Sequence, residues 1–123
     1  MRILVDTSVW IAHFRGSLTP LSGMLRNNEV LTHAVILGEL AIGHIPNRSR
    51  VLKDLVRQPR LPASVFTAVL DFIELSKLHG SGLSWGDAQL LCSARERGVP
   101  LWSIDRKLER EAQRLGLGWL PPG

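Results

Sequence analysis

Two short apolar runs in this chain each stop at an aspartate and pass straight into a helical pattern. The first is Arg2-Ile3-Leu4-Val5 before Asp6, and the second is Val99 to Ile104 before Asp105. Runs this short, bounded by turn-forming residues, read as buried strands rather than helices. After Asp6, the residues Val9, Trp10, His13 and Phe14 fall on one helical face; after Asp105, helical spacing continues to Leu115 and stops at Gly116. Residues 29–33 read as another strand, and residues 34–44, almost wholly apolar, as a buried helix. Short strands alternating with helices specify an α/β fold: a three-layer α/β/α sandwich with a mostly parallel central sheet. A length of 123 residues suits a single domain covering 1–123.

The other elements follow from punctuation. Gly16-Ser17 breaks the first helix, and Leu18, Leu21 and Leu25 suggest a second. Pro46-Asn47 opens a helix with Val51, Leu52, Leu55 and Val56 on one face, and Pro59 and Pro62 mark a connection. A longer helix is expected from Ser64 to His79, a loop at Gly80-Ser81-Gly82, and a helix from Ser84 to Arg97 closed by Gly98. Residues 117–120 read as a short edge strand. No apolar stretch reaches membrane-span length, and Asp6 comes too early for a signal-peptide core, so a soluble protein is expected. The single cysteine, Cys92, forms no internal disulfide and lies in an apolar run, which fits a cytoplasmic setting and a buried small side chain.

Most of the eleven acids have ordinary surroundings. Asp54, Glu74, Glu96, Glu109 and Glu111 sit among basic residues or on mixed-charge faces, Glu29 opens a strand, and Asp71 neighbours Glu74. Glu39 differs, because Val35, Ile36, Ile42 and Gly43 surround it at helical spacing. A carboxylate on an apolar face needs a partner: a metal, a buried Arg or a backbone donor. Asp87 shares a stripe with Leu83, Leu90, Leu91 and Ala94, yet Ser84 to Asp87 also reads as a capping box. Asp6 and Asp105 each follow a strand and precede a helix, so each also reads as an N-cap.

Convergence distinguishes these four from ordinary caps. In a parallel sheet, the ligand crevice lies outside the carboxyl ends of the strands, where Asp6 and Asp105 fall. Clustered carboxylates repel one another unless a cation joins them, and an oxygen-only set favours Mg²⁺ or Mn²⁺ over zinc. His13, His33, His44 and His79 lack zinc-site spacing. Setting the four acids aside, seven carboxylates face fifteen Lys and Arg, a surplus of eight positive charges. An acidic pocket in a basic exterior suits a nuclease, although Arg-rich composition also follows from a genome rich in G and C. Arg15, Arg106 and Lys107 follow the acidic positions and are candidates for phosphate contact or for a plain solvated face.

The stretch Leu4-Val5-Asp6-Thr7-Ser8-Val9-Trp10-Ile11 resembles the opening of PIN-domain proteins, and among them the VapC toxins of bacterial toxin–antitoxin pairs. Gly38-Glu39-Leu40, Trp85-Gly86-Asp87-Ala88-Gln89-Leu90-Leu91 and Leu101-Trp102-Ser103-Ile104-Asp105 resemble that family's later motifs, in order. Where the family often has Thr, position 103 is Ser, which keeps a hydroxyl. The resemblance implies a Mg²⁺- or Mn²⁺-dependent endoribonuclease cutting RNA such as tRNA or rRNA. It also implies a homodimer and a VapB-like antitoxin partner. By matching motif, Asp6 and Asp87 would be the main metal ligands, and Glu39 and Asp105 would complete the shell or position water. Thr7, Ser8 and Ser103 would bond a water or ligand, or act as local caps. A housekeeping nuclease of the same fold and a non-catalytic RNA-binding domain are the alternatives. A phosphoryl-aspartate enzyme is disfavoured by Ser at position 8, and a dinucleotide fold by the lack of a glycine-rich turn after the first strand.

Overall fold

Both apolar runs form strands, and every strand pairing is parallel. The computed structural model describes residues 1–17 and 19–122. Along the chain these are β1 (Ile3–Val5), α1 (Thr7–Phe14), α2 (Leu21–Arg26), β2 (Val30–His33), α3 (Ala34–Ile42), α4 (Arg48–Val56), β3 (Arg60–Leu61), α5 (Phe66–Leu75), α6 (Trp85–Arg97), β4 (Leu101–Trp102) and α7 (Arg106–Arg114). The sheet order is β3-β2-β1-β4. Leu4 stands opposite Leu31 on one side and Leu101 on the other, so β1 is central. Residues 117–119 extend the sheet beyond β4: the Leu101 N–H donates to the Leu117 carbonyl (2.7 Å) and the Trp119 N–H to the Leu101 carbonyl (2.9 Å).

The order has a direct consequence. The chain moves from β1 outward to β2 and β3, then crosses back to β4 on the other side of β1. With right-handed crossovers, α1–α4 cover one face and α5–α7 the other. The direction of winding reverses between β1 and β4, which opens a crevice outside their carboxyl ends. Asp6 and Asp105 immediately follow those two strands.

Ile3, Leu4, Val5, Leu90, Leu91 and Leu101 form the centre of the core and are essentially inaccessible to water. The middle of α6, from Ala88 to Ala94, is buried on all sides. Cys92 lies within it as a buried small side chain, and burial raises its thiol pKa.

Several expectations need correction. The segment between Pro59 and Pro62 is not a plain connection but contains β3. The Thr32 N–H donates to the Pro59 carbonyl (2.9 Å), and an edge strand tolerates flanking prolines. The helix expected over residues 64–79 is limited to Phe66–Leu75, and Lys77 takes a left-handed backbone (φ 54°) just beyond it. Only Leu101–Trp102 of the Val99–Ile104 run joins the ladder. Leu18, assigned to the second helix, lies outside the described residues. Helix α3 is not buried: Ile36 and Leu40 face the core, whereas Ile42 is 89% exposed. Glu111, expected on a mixed-charge helix, is buried there, and its carboxylate pairs with Arg114 (2.8 Å).

Candidate active site

The crevice between β1 and β4 is built around Asp6. The residue is the N-cap of α1, as its position after a strand suggests, and it is buried. Its Oδ2 accepts from the Ser8 hydroxyl (2.6 Å), the Ser8 N–H (3.3 Å) and the Ser103 hydroxyl (2.9 Å). Ser8 Oγ accepts in turn from the Ile104 N–H (3.1 Å), and Ser103 Oγ from the Asp105 N–H (3.0 Å). The two strand ends are thus joined through one carboxylate oxygen. Burial pushes the Asp6 carboxyl above its ordinary value of 3.8; the hydrogen bonds oppose that shift and the charge of Asp87 adds to it.

Glu39 reaches the same crevice from α3. The Thr7 hydroxyl donates to its Oε1 at 2.7 Å, tying α1 to α3. The residue is exposed overall, so the apolar neighbours read from the sequence do not enclose it. Its carboxyl nevertheless lies close enough to protein that desolvation raises its pKa first, followed by the charges of Asp6 and Asp87.

Asp87 stands in the first turn of α6. The capping box is present: the Asp87 N–H donates to Ser84 Oγ (3.1 Å) and the Ser84 N–H to Asp87 Oδ2 (3.1 Å). Capping and convergence coexist, since Asp87 also acts electrostatically on both Asp6 and Glu39. Gly86 permits this approach. A Cβ there would come within 3.1 Å of Val35 Cγ1, so the first turns of α3 and α6 meet closely at this glycine.

Asp105 caps α7 through Oδ1, which accepts from the Lys107 and Leu108 N–H groups (3.0 and 3.1 Å). Its link to Asp6 runs through Ser103. The structure therefore gathers Asp6, Glu39 and Asp87 within mutual electrostatic reach, whereas Asp105 is tied to Asp6 through its backbone N–H and Ser103 while its carboxylate caps α7.

Among the described residues, no three His, Cys, Asp or Glu side chains form a complete metal-binding group. The chemistry of the donors nonetheless suits a hard divalent cation, because every candidate is an oxygen and Asp6 and Glu39 are both disfavoured as anions without one. Mg²⁺ commonly takes only one or two carboxylates and keeps several waters, so an incomplete protein shell is compatible with it. Sequence reading singled out Thr7, Ser8 and Ser103; the structure gives each a carboxylate to hold. Gly86 was missed, and a glycine beside an acid in a helix's first turn was the available signal.

The parallel sheet, its switch point and the acids around it define an α/β nuclease-like domain, and residues 3–113 match the PIN domain family. The chain belongs to that family. Within it, the chain is of the VapC ribonuclease type: it is 37% identical over 116 residues to Ribonuclease VapC32 of Mycobacterium tuberculosis, covering 94% of each protein. The fold is also shared with PAE2754 from Pyrobaculum aerophilum, with a TM-score of 0.61, 20% identity, and coverage of 90% of this chain and 79% of that one. FitAcB from Neisseria gonorrhoeae aligns with a TM-score of 0.61 at 17% identity, over 90% and 93% of the two chains.

Proposed function

We propose that this protein is a Mg²⁺- or Mn²⁺-dependent endoribonuclease acting as the toxin of a toxin–antitoxin pair, with tRNA or rRNA as its substrate class. The observation that carries the reading is the convergence of Asp6, Glu39 and Asp87, two of them with raised pKa, at the sheet's switch point. Carboxylates held together at an electrostatic cost mark a functional site more than a structural one. The similarity to Ribonuclease VapC32 supports RNA as the substrate; the narrower tRNA or rRNA class is part of the proposal.

Asp6, Asp87 and Glu39 would hold the cation, with Asp105 at the margin. When bound, such an ion lowers the pKa of a coordinated water and neutralises charge on the phosphate. The chain's own residues set the geometry. Three donors on Asp6 Oδ2 fix that carboxylate and leave Oδ1 as the oxygen it offers. Thr7 orients Glu39, Ser84 orients Asp87, and Ser103 couples Asp105 to Asp6. Arg15, which with Glu39 lines a cleft between α1 and α3, and Lys107 at the start of α7 are the cations this reading assigns to the RNA backbone.

A VapB-like antitoxin as partner and a homodimer as assembly accompany this reading, as does a cytoplasmic location; no described helix is long and apolar enough to cross a membrane. FitAB, a solved structure with which this chain shares its fold, is bound to a DNA fragment, which supports nucleic-acid contact by an assembly that contains such a domain. The test is cleavage of total RNA by purified protein with Mg²⁺, with Mn²⁺ and with EDTA, alongside Asp6→Asn and Asp87→Asn. Cleavage that needs the cation and falls at least about 100-fold in both variants is expected for loss of a cation ligand. EDTA-resistant cleavage would overturn the metal assignment, and unchanged activity in Asp87→Asn would remove that residue from the site.

A further inference from the structure

We propose that Trp85, braced by Phe66, is a stacking platform for an unpaired base of the RNA substrate beside the cleaved phosphate. The inference rests on the ribonuclease reading above and adds how the substrate is gripped.

Trp85 and Phe66 are among the largest apolar side chains, yet they are 45% and 64% exposed. Their ring centroids lie 5.4 Å apart at an interplanar angle of 38°. Folding alone does not account for two large rings packed on each other in contact with water. Their place in the chain is specific. Trp85 is the first residue of α6, two positions before Asp87, so the indole sits on the turn that carries a site carboxylate.

Trp85 also lines a cleft of about 250 Å³. Ile73, Leu78 and Leu83 give it apolar walls, and His79, Ser81 and Ser84 add polar edges. An apolar slot with a few polar groups and an aromatic wall suits a flat heterocycle. A cation stands at the same loop: a Cβ on Gly82 would meet Lys107 Nζ at 3.1 Å. Lys107 belongs to the first turn of α7, directly after Asp105. Stacking surface and slot therefore meet the Lys107 ammonium group at the Gly82 loop, and Asp87 and Asp105 stand in the same helix starts as Trp85 and Lys107. That is the combination by which single-stranded nucleic acid is held, with rings taking bases and cations taking the backbone. A base can reach such a platform only when it is unpaired, so the cleaved linkage would lie in a loop or other single-stranded stretch.

The experiment uses a short single-stranded RNA of mixed sequence and a matched strand with abasic positions. Cleavage is followed in Mg²⁺ or Mn²⁺, and binding by fluorescence anisotropy in the Asp6→Asn background. Trp85→Ala is expected to lower kcat/KM about 5- to 150-fold, the range for one stacked base, chiefly through KM. Trp85→Phe should recover most of that loss. In the Asp6→Asn background, Trp85→Ala should weaken binding to the base-bearing strand and leave the abasic strand unaffected. Wild-type cleavage with an unchanged Trp85→Ala, or equal weakening on both strands, overturns the platform alone. A lower sedimentation mass in Trp85→Ala also overturns it, assigning the rings to contact between copies of the chain. If wild type leaves RNA intact, the ribonuclease reading fails, and base-dependent binding still decides the platform.

Discussion

Asp6 serves as a helix cap, a hydrogen-bond hub and a candidate cation ligand, and these roles make opposing demands. Its burial, with Asp87 nearby, raises its pKa, so ionising Asp6 costs more in the folded protein than in the unfolded chain. A raised carboxylate adds to stability below its ordinary value of 3.8 and loses that contribution as pH rises through the folded-state value. Ionisation of Asp6 in the cation-free protein therefore opposes folding. Asp6→Asn keeps an acceptor for Ser8 and Ser103 and caps a helix equally well. We expect it to raise the melting temperature of cation-free protein at pH 7; relief on the order of 1 kcal/mol corresponds to roughly 4 °C in a chain of this size. That advantage should narrow as the pH falls toward 3.8. Saturating Mg²⁺ or Mn²⁺ should reverse the ranking, since a ligand at about 100 times its Kd stabilises wild type by roughly 2.7 kcal/mol. Scanning calorimetry of both proteins, with and without cation, checks the pattern; a variant less stable than wild type without cation would show that the carboxylate is not repelled there.

At the scale of elements, α3 and α6 bring the outlying acids in, and a buried polar network holds them in place. His33 ends β2 and caps α3: its Nδ1 accepts from the Val35 N–H (3.0 Å), leaving Nε2 to donate to Ser93 Oγ (3.0 Å) on α6. Ser93 donates to Gln89 (2.9 Å), whose side-chain amide clasps the Ser64 backbone ahead of α5. Ser93→Ala should cost about 1–3 kcal/mol in denaturant unfolding, because it strands buried donors. Burial lowers the His33 pKa below its ordinary 6.5, so its contribution is present above that value and lost as pH falls through the folded-state value. His33→Asn, which still caps, should flatten the acid side of the melting-temperature profile; an unchanged slope there would exclude His33 as its source. None of this network was legible in the sequence, where His33 looks ordinary, because its members come from three separate segments. What the sequence did reveal was local: strands ending in acids and the capping box at Ser84, with the crevice expected outside the strands' carboxyl ends. It misjudged α3, where apolar composition was taken for burial although the helix buries only the stripe of Ile36 and Leu40. Strand β3 escaped because a two-residue edge strand between prolines carries no periodicity.

Across the whole molecule, charge is divided between an acidic crevice and a basic remainder. Outside the four site carboxylates, fifteen Lys and Arg face seven acids. Such a surface attracts any polyanion by counterion release, with a salt dependence set by the number of phosphates neutralised. The carboxylates act in the opposite direction, repelling the backbone until a cation offsets them. Binding of single-stranded RNA to Asp6→Asn should therefore weaken steeply with salt. If three to four phosphates are engaged, a slope of about −0.7 per phosphate makes a fourfold rise in salt cost roughly 20- to 50-fold in affinity. Removing Lys107 as Lys107→Ala should lower the slope by about one phosphate's share, whatever the RNA sequence. Stacking on Trp85 contributes affinity without releasing counterions, so Trp85→Ala should shift the whole salt titration while preserving its slope. Parallel titrations of these variants separate the two contributions; a slope near zero in the Asp6→Asn background would mean that the basic surplus does not face the RNA, whatever the net charge of the chain.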